Sequence, residues 1–158
     1  MASILVKLFE HNRWANLRAV EACTALSDAQ LDATVPGTAG SVRDTLMHIA
    51  GAEHRYVARL SGRQPSYHER DGWPGADQLR QALDESGRAL IALAEHANPD
   101  EVLDGEYQGR PQALPVATVY VQAINHATEH RSQIATIMTQ QGAEPPDFSG
   151  WAWGRSSS

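Results

Sequence analysis

The chain has 158 residues, enough to bury one compact core and too few to make two domains the default, so residues 1–158 are expected to form a single domain. Its 19 acidic and 13 basic residues leave a net charge of −6, and the basic residues are scattered, not gathered into a stripe that would neutralise phosphates, which argues against a nucleic-acid partner. The lone cysteine, Cys23, excludes an intrachain disulfide, and neither an export signal nor a run of about 18 apolar residues is visible, so a cytoplasmic protein with no membrane partner is expected.

Four stretches carry helical periodicity and are separated by Gly- and Pro-containing segments, the pattern of an all-α bundle. The first runs from about Ser3 to Leu26, with Leu8, Asn12, Ala15 and Ala19 near one face; Ser27 then caps a short helical turn, and Val35-Pro36-Gly37 breaks the chain. A second helix starts after Gly40, where Ser41 and Asp44 form a capping arrangement. Its stripe of Val42, Leu46, Ile49, Glu53, Tyr56 and Leu60 stops at Ser61-Gly62. Between Arg63 and Gly75, Pro65, Pro74 and two glycines place Tyr67, His68 and Trp73 in a loop that crosses one end of the bundle. The third helix reads from Ala76 to about Ala97, with Leu79, Leu83, Ser86, Leu90 and Leu93 at three-and-four spacing. Glu101–Pro115 suits irregular chain or a small hairpin, and the fourth helix runs from about Leu114 to Gln141. In the tail, residues 142–158, the apolar area of Trp151 and Trp153 predicts that both pack back on the bundle, while the final Arg-Ser-Ser-Ser frays.

The fourth helix carries the chemistry. Its apolar positions Val116, Val119, Tyr120, Ala123, Ala127, Ile134, Ile137 and Met138 define a stripe at ~100° per residue, and His130 lies about 40° and His126 about 80° from its centre. Side chains at i and i+4 stand one above the other, so both imidazoles turn toward one point between helices. Burying an unpartnered polar ring costs on the order of 1–3 kcal/mol, so two inward rings call for bonding partners or a metal ion. A third protein ligand would complete a site that keeps a position for water or substrate. On the second helix His48 and His54 each lie about 120° from the apolar centre, on opposite sides, and periodicity does not choose between them. His126-Ala127-Thr128-Glu129-His130 places its glutamate before the second histidine, where HExxH places it directly after the first, which disfavours metalloprotease chemistry.

LMHIAGAEHRYVARL on the second helix and INHATEHRSQIATIM on the fourth resemble the DinB-like (DinB/YfiT-like) superfamily, and HNRWANLRAV and DFSGWAWG resemble its first helix and its ending, so the resemblance spans nearly the whole chain. It implies an all-α four-helix bundle of up-down-down-up type with crossover loops, and a divalent metal ion, zinc or nickel before others, held by His48, His126 and His130. Members of that superfamily include thiol-dependent S-transferases that use bacillithiol or mycothiol, and a thiol-dependent isomerase. The resemblance therefore implies a metal-dependent transferase or hydrolase acting on a small-molecule substrate, with a low-molecular-weight thiol as cofactor, and a homodimer. The alternative is a non-catalytic metal-binding stress-response protein whose ion stabilises the fold by binding only the folded form.

The remaining residues read more plainly. His11, beside Asn12 and Trp14, is expected to be a hydrogen-bonded packing group, Trp14 a packing anchor and Cys23 a structural thiol, while His54, His68 and His96 are expected in solvent. Glu129 reads as an exposed helix charge. Glu53, on the apolar stripe, is the better candidate for orienting a ligand or taking a proton from bound water. Arg131 suits either an anionic substrate or a surface ion pair.

Overall fold

The computed structural model describes residues 2–107 and 109–156. In chain order they form α1 (Ile4–Cys23), α2 (Asp28–Leu31), α3 (Val42–Ser61), a 3-10 turn (Glu69–Asp71), α4 (Ala76–Glu95), β1 (Val102–Tyr107), β2 (Arg110–Pro115), α5 (Val116–Gln140) and α6 (Gly150–Ser156). The structure is mostly helical, and Glu101–Pro115 resolves as the hairpin, with β1 and β2 antiparallel and Gly105 opposite Gln112. None of the described helices is long and apolar enough to cross a membrane.

The local signals act as their chemistry requires. Ser41 Oγ accepts from Asp44 N at 3.1 Å and Asp44 Oδ2 accepts from Ser41 N at 3.1 Å, a reciprocal cap that starts α3. Gly62, at φ 69°, ends the same helix in the left-handed region open to glycine. Among the long helices, α4 packs on α1 and α3, and α5 packs on α3 and α1, while α1 and α3 barely touch. The connection that carries α2 therefore joins two helices that are not principal neighbours.

Two apolar clusters fill the interior. One gathers Val20, Leu46, Ile49, Leu83, Ile134 and Ile137; the other gathers Phe9, Leu90, Tyr120 and Ala123, with Phe9 edge-on to Tyr120 at 5.6 Å. Every long helix also buries polar side chains near its middle: Asn12 and Asn16 on α1, Glu53 on α3, Ser86 on α4 and Arg131 on α5. Leu8, read as part of the inward face of α1, is 46% exposed, because Phe9 and Asn16 turn that face away from it.

Trp151 also departs from expectation at 83% exposure. Its neighbour Trp153 takes the inward side of α6 and lies edge-on to His11 at 5.8 Å, so Trp151, two residues and about 200° away, faces solvent. Of the final Arg-Ser-Ser-Ser, expected to fray, Arg155 and Ser156 are instead helical, and residues 157–158 lie outside the described residues.

Gly87 sets the approach of α1 to α4. A Cβ there would meet Arg13 Cγ at 2.7 Å and Arg13 Cβ at 2.8 Å, the stem of a side chain whose head pairs with Asp84. Alanine gains about 1 kcal/mol of helix propensity over glycine, but overpacking a close contact costs about 1–3 kcal/mol. Gly87→Ala is therefore expected to lower the melting temperature; an unchanged or higher value would show that the helices part without cost.

Candidate metal centre

His48 on α3 and His126 and His130 on α5 converge, with one ring nitrogen of each lying within 4.8 Å of the others. Ring centroids are 4.4 Å apart for His126 and His130, 4.8 Å for His48 and His130, and 4.9 Å for His48 and His126. His130 is buried and the other two are half-buried, so the cluster sits at the edge of the core.

The far nitrogens of two rings are held. His48 Nδ1 lies 2.9 Å from Glu69 Oε2, and a carboxylate only accepts, so Nδ1–H donates and Nε2 presents its lone pair inward. Glu69 Oε1 in turn accepts from Arg55 Nη1 at 3.2 Å. His130 Nδ1 lies 2.9 Å from Gln133 Oε1, which fixes that ring in the same sense. His126 Nε2 stands 3.1 Å from His48 Nε2. Two nitrogens that share an ion at 2.0–2.1 Å stand roughly 2.9–3.4 Å apart, so these residues fit a divalent metal without rearrangement of that pair. Carboxylate and amide partners behind ligating imidazoles are also what metal sites use to fix tautomer and ring orientation. Burial, helped by His130, His48 and Arg55, pushes His126 down to about 4, which keeps its ring neutral at pH 7, the form a metal needs.

The DinB family model matches residues 1–154. The chain belongs to the DinB family. A crystal structure of a DinB-like protein from Bacillus cereus ATCC 10987 is similar to it over 90% of this chain and 94% of that one, with a TM-score of 0.70 at 17% identity, a likeness of fold. No curated protein matches the sequence.

Several residues of this DinB chain stand elsewhere than its sequence suggests. His54 is not solvated: it is 5% exposed, Nε2–H donates to Ala82 O at 3.0 Å, and Nδ1 accepts from Ser66 Oγ at 3.0 Å. Thus α3 turns His48 to α5 and His54 to α4. Glu53 is remote in bonding from the histidines, because Asn12, Asn16 and Ser86 occupy its carboxylate oxygens. Arg131 is 3% exposed and forms neither a surface pair nor an open anion seat; it donates to Asn12 and Asn16. Glu129, His68 and His96 are exposed. His11 is half-buried, bonded to Phe148 O at 2.8 Å and tilted against Trp14, and Cys23 is buried with its thiol pushed up to about 12.

Glu69 and Gln133 are partners of the site that the sequence reading missed. Gln133 had a signal, since it lies one turn after His130 on the same face; Glu69 sits in a loop turn 21 residues from His48 and had none.

His54 makes acid a stability variable. Burial lowers its pKa below 6.5, against the Ala82 carbonyl and Glu85, which raise it, and with His68, which lowers it further. The unfolded chain then binds the proton first, so the stability present above pH 6.5 is lost as pH falls through the folded value. The melting temperature of the metal-free protein should drop more between pH 7 and pH 5 in wild type than in His54→Gln; parallel curves would remove this contribution.

Proposed function

We propose that the chain binds a divalent ion, zinc or nickel, through His48, His126 and His130, and uses it in thiol-dependent S-transfer or hydrolase-like chemistry on a small molecule. The convergence of three ring nitrogens within 4.8 Å, two of them backed by Glu69 and Gln133, carries this reading. An ion in that seat supplies Lewis acidity, which favours the anionic form of a thiol or water. The chain's own residues fix the geometry: Arg55 holds Glu69, Glu69 orients His48, and Gln133 orients His130. Access lies on the half-exposed side, where Ala39, Met47, His48 and Glu69 line a cavity of about 290 Å³. An apolar cavity of about 510 Å³ between α1, α4 and α5 has no histidine in its lining and is not the reaction site in this reading.

The reading takes residues 1–158 as one cytoplasmic domain. Its up-down-down-up path is supported by the core, where C-terminal residues of α1 and α5 share one cluster with N-terminal residues of α3 and α4. A second copy of the chain is the proposed partner, and exposed Ile4, Leu8 and Val121 on α1 and α5 offer it apolar area. A sedimenting monomer at tens of micromolar would rule that out.

Cobalt substitution tests the chemistry. Adding cysteine or another low-molecular-weight thiol should change the visible spectrum of the loaded protein, and His126→Ala should abolish the change. A loaded protein that melts higher but responds spectrally to no thiol is instead the non-catalytic metal-binding protein.

A further inference from the structure

A second cavity lies between α3 and α5, toward the N-terminal end of α5 from the histidines. On α5, Gln122 precedes His126 by one turn and Thr118 precedes Gln122 by another, all on one face. These two, with Tyr56 and Arg59 of α3 and Gln112 and Leu114 of β2, line a cavity of about 250 Å³. Tyr56 joins the two places, because its ring lies edge-on to His126 with centroids 6.0 Å apart and the same residue lines this cavity beside Gln122.

Arg59 is the unusual member. Its Nη2 is buried and has no hydrogen-bond partner among the described residues. The hairpin closes over it: a Cβ at Gly105 would stand 3.2 Å from that nitrogen. Gly105 does not have a positive φ, so what the glycine admits is the guanidinium and not a special turn. Alternation along β1 sends Asp104 and Glu106 to the opposite face, where both are exposed. A guanidinium with an unmet donor, set among two hydroxyls and two amides, is the chemistry that seats a carboxylate. Among the described lining residues Arg59 alone carries a charge, which matches a monoanionic carboxylate better than a dianionic phosphate.

We propose that Arg59 binds the carboxylate of a small molecule whose other end reaches the three histidines. This rests on the metal reading and names its substrate class: a thiol or related donor with a carboxylate roughly 6–10 Å away, the helical rise from His126 to Gln122 and Val119.

Two titrations by calorimetry test it. Metal-free protein is titrated with hexanoate, and zinc-loaded protein with mercaptocarboxylates from mercaptoacetate to mercaptooctanoate. In wild type, hexanoate binds, and thiol affinity peaks at an intermediate chain length. Arg59→Gln weakens hexanoate about tenfold or more and flattens the chain-length peak while zinc content stays unchanged. Gly105→Val, which crowds the guanidinium but keeps its charge, gives the same loss and guards against a folding defect in the first variant. Zinc bound normally with affinities indifferent to both substitutions would overturn the carboxylate seat and leave the metal reading intact. No zinc, but Arg59-dependent hexanoate binding, would overturn the metal reading and support the seat.

Discussion

Replacing His126 by alanine is expected to leave the purified protein without a stoichiometric divalent ion, and His48→Ala and His130→Ala are expected to do the same. Each removes one of the three proposed ligands, and a site reduced to two imidazoles competes poorly with water. Loss of a group that merely orients a ligand typically costs 10–100-fold in affinity, so loss of a ligand should exceed about 100-fold. Glu69→Gln supplies the internal scale: it keeps the shape but removes the charge behind His48 Nδ1, and should fall within that 10–100-fold range. Stability gives a second readout. An ion present at 100 times its dissociation constant adds about 2.7 kcal/mol to the folded state, and this increment should vanish in the three alanine variants. Elemental analysis beside melting curves, with and without added zinc, measures both. An ion retained in all three variants, or none bound by wild type after incubation with zinc or nickel, would sink the site.

The parts of this molecule that sequence made legible are those in which one helix carries its own signal. Ser41 and Asp44 announced the start of α3, Gly62 its end, and the spacing of His126 and His130 announced a shared direction, because each is a relation within one or two turns. Periodicity left the choice between His48 and His54 open, since both sit at equal angles from the stripe, and only the motif resemblance pointed to His48; in the structure the choice is made by which helix packs on which side, α5 or α4. Glu69 is a contact across a loop and leaves no periodic trace. Arg131 did leave one. Ala127, Arg131, Ile134 and Met138 are spaced by four, three and four, which places a charged residue in the middle of an apolar stripe, and Glu53 occupies the matching place on α3. Two opposite charges, each on an inward face, point to each other more directly than either points to solvent or substrate.

That buried pair should dominate the stability of the bundle. Asn12 and Asn16 each donate to Glu53 Oε1, at 2.7 Å in both cases, and each accepts from Arg131 Nη1, so two amides bridge carboxylate and guanidinium in parallel. Ser86 donates to Glu53 Oε2 at 2.6 Å, which brings α4 into the same layer and ties all four long helices at one level. Burial pushes the Glu53 carboxyl up and lowers Arg131 to about 10, so the guanidinium remains charged at pH 7 and three donors meet the carboxylate opposite. Arg131→Ala leaves that carboxylate and two amide oxygens without their cation in a closed core. Breaking one side of a buried pair costs about 3–5 kcal/mol, and each kcal/mol moves the melting temperature of a chain this size by about 2–4 °C, so a drop of roughly 6–20 °C is expected. Desolvation offsets much of the pair's mutual attraction, and the joint replacement Glu53→Leu with Arg131→Met should therefore cost less than the sum of the single changes. Additive losses in that cycle, or a melting temperature unmoved by Arg131→Ala, would mean that the two charges do not hold the helices through one another.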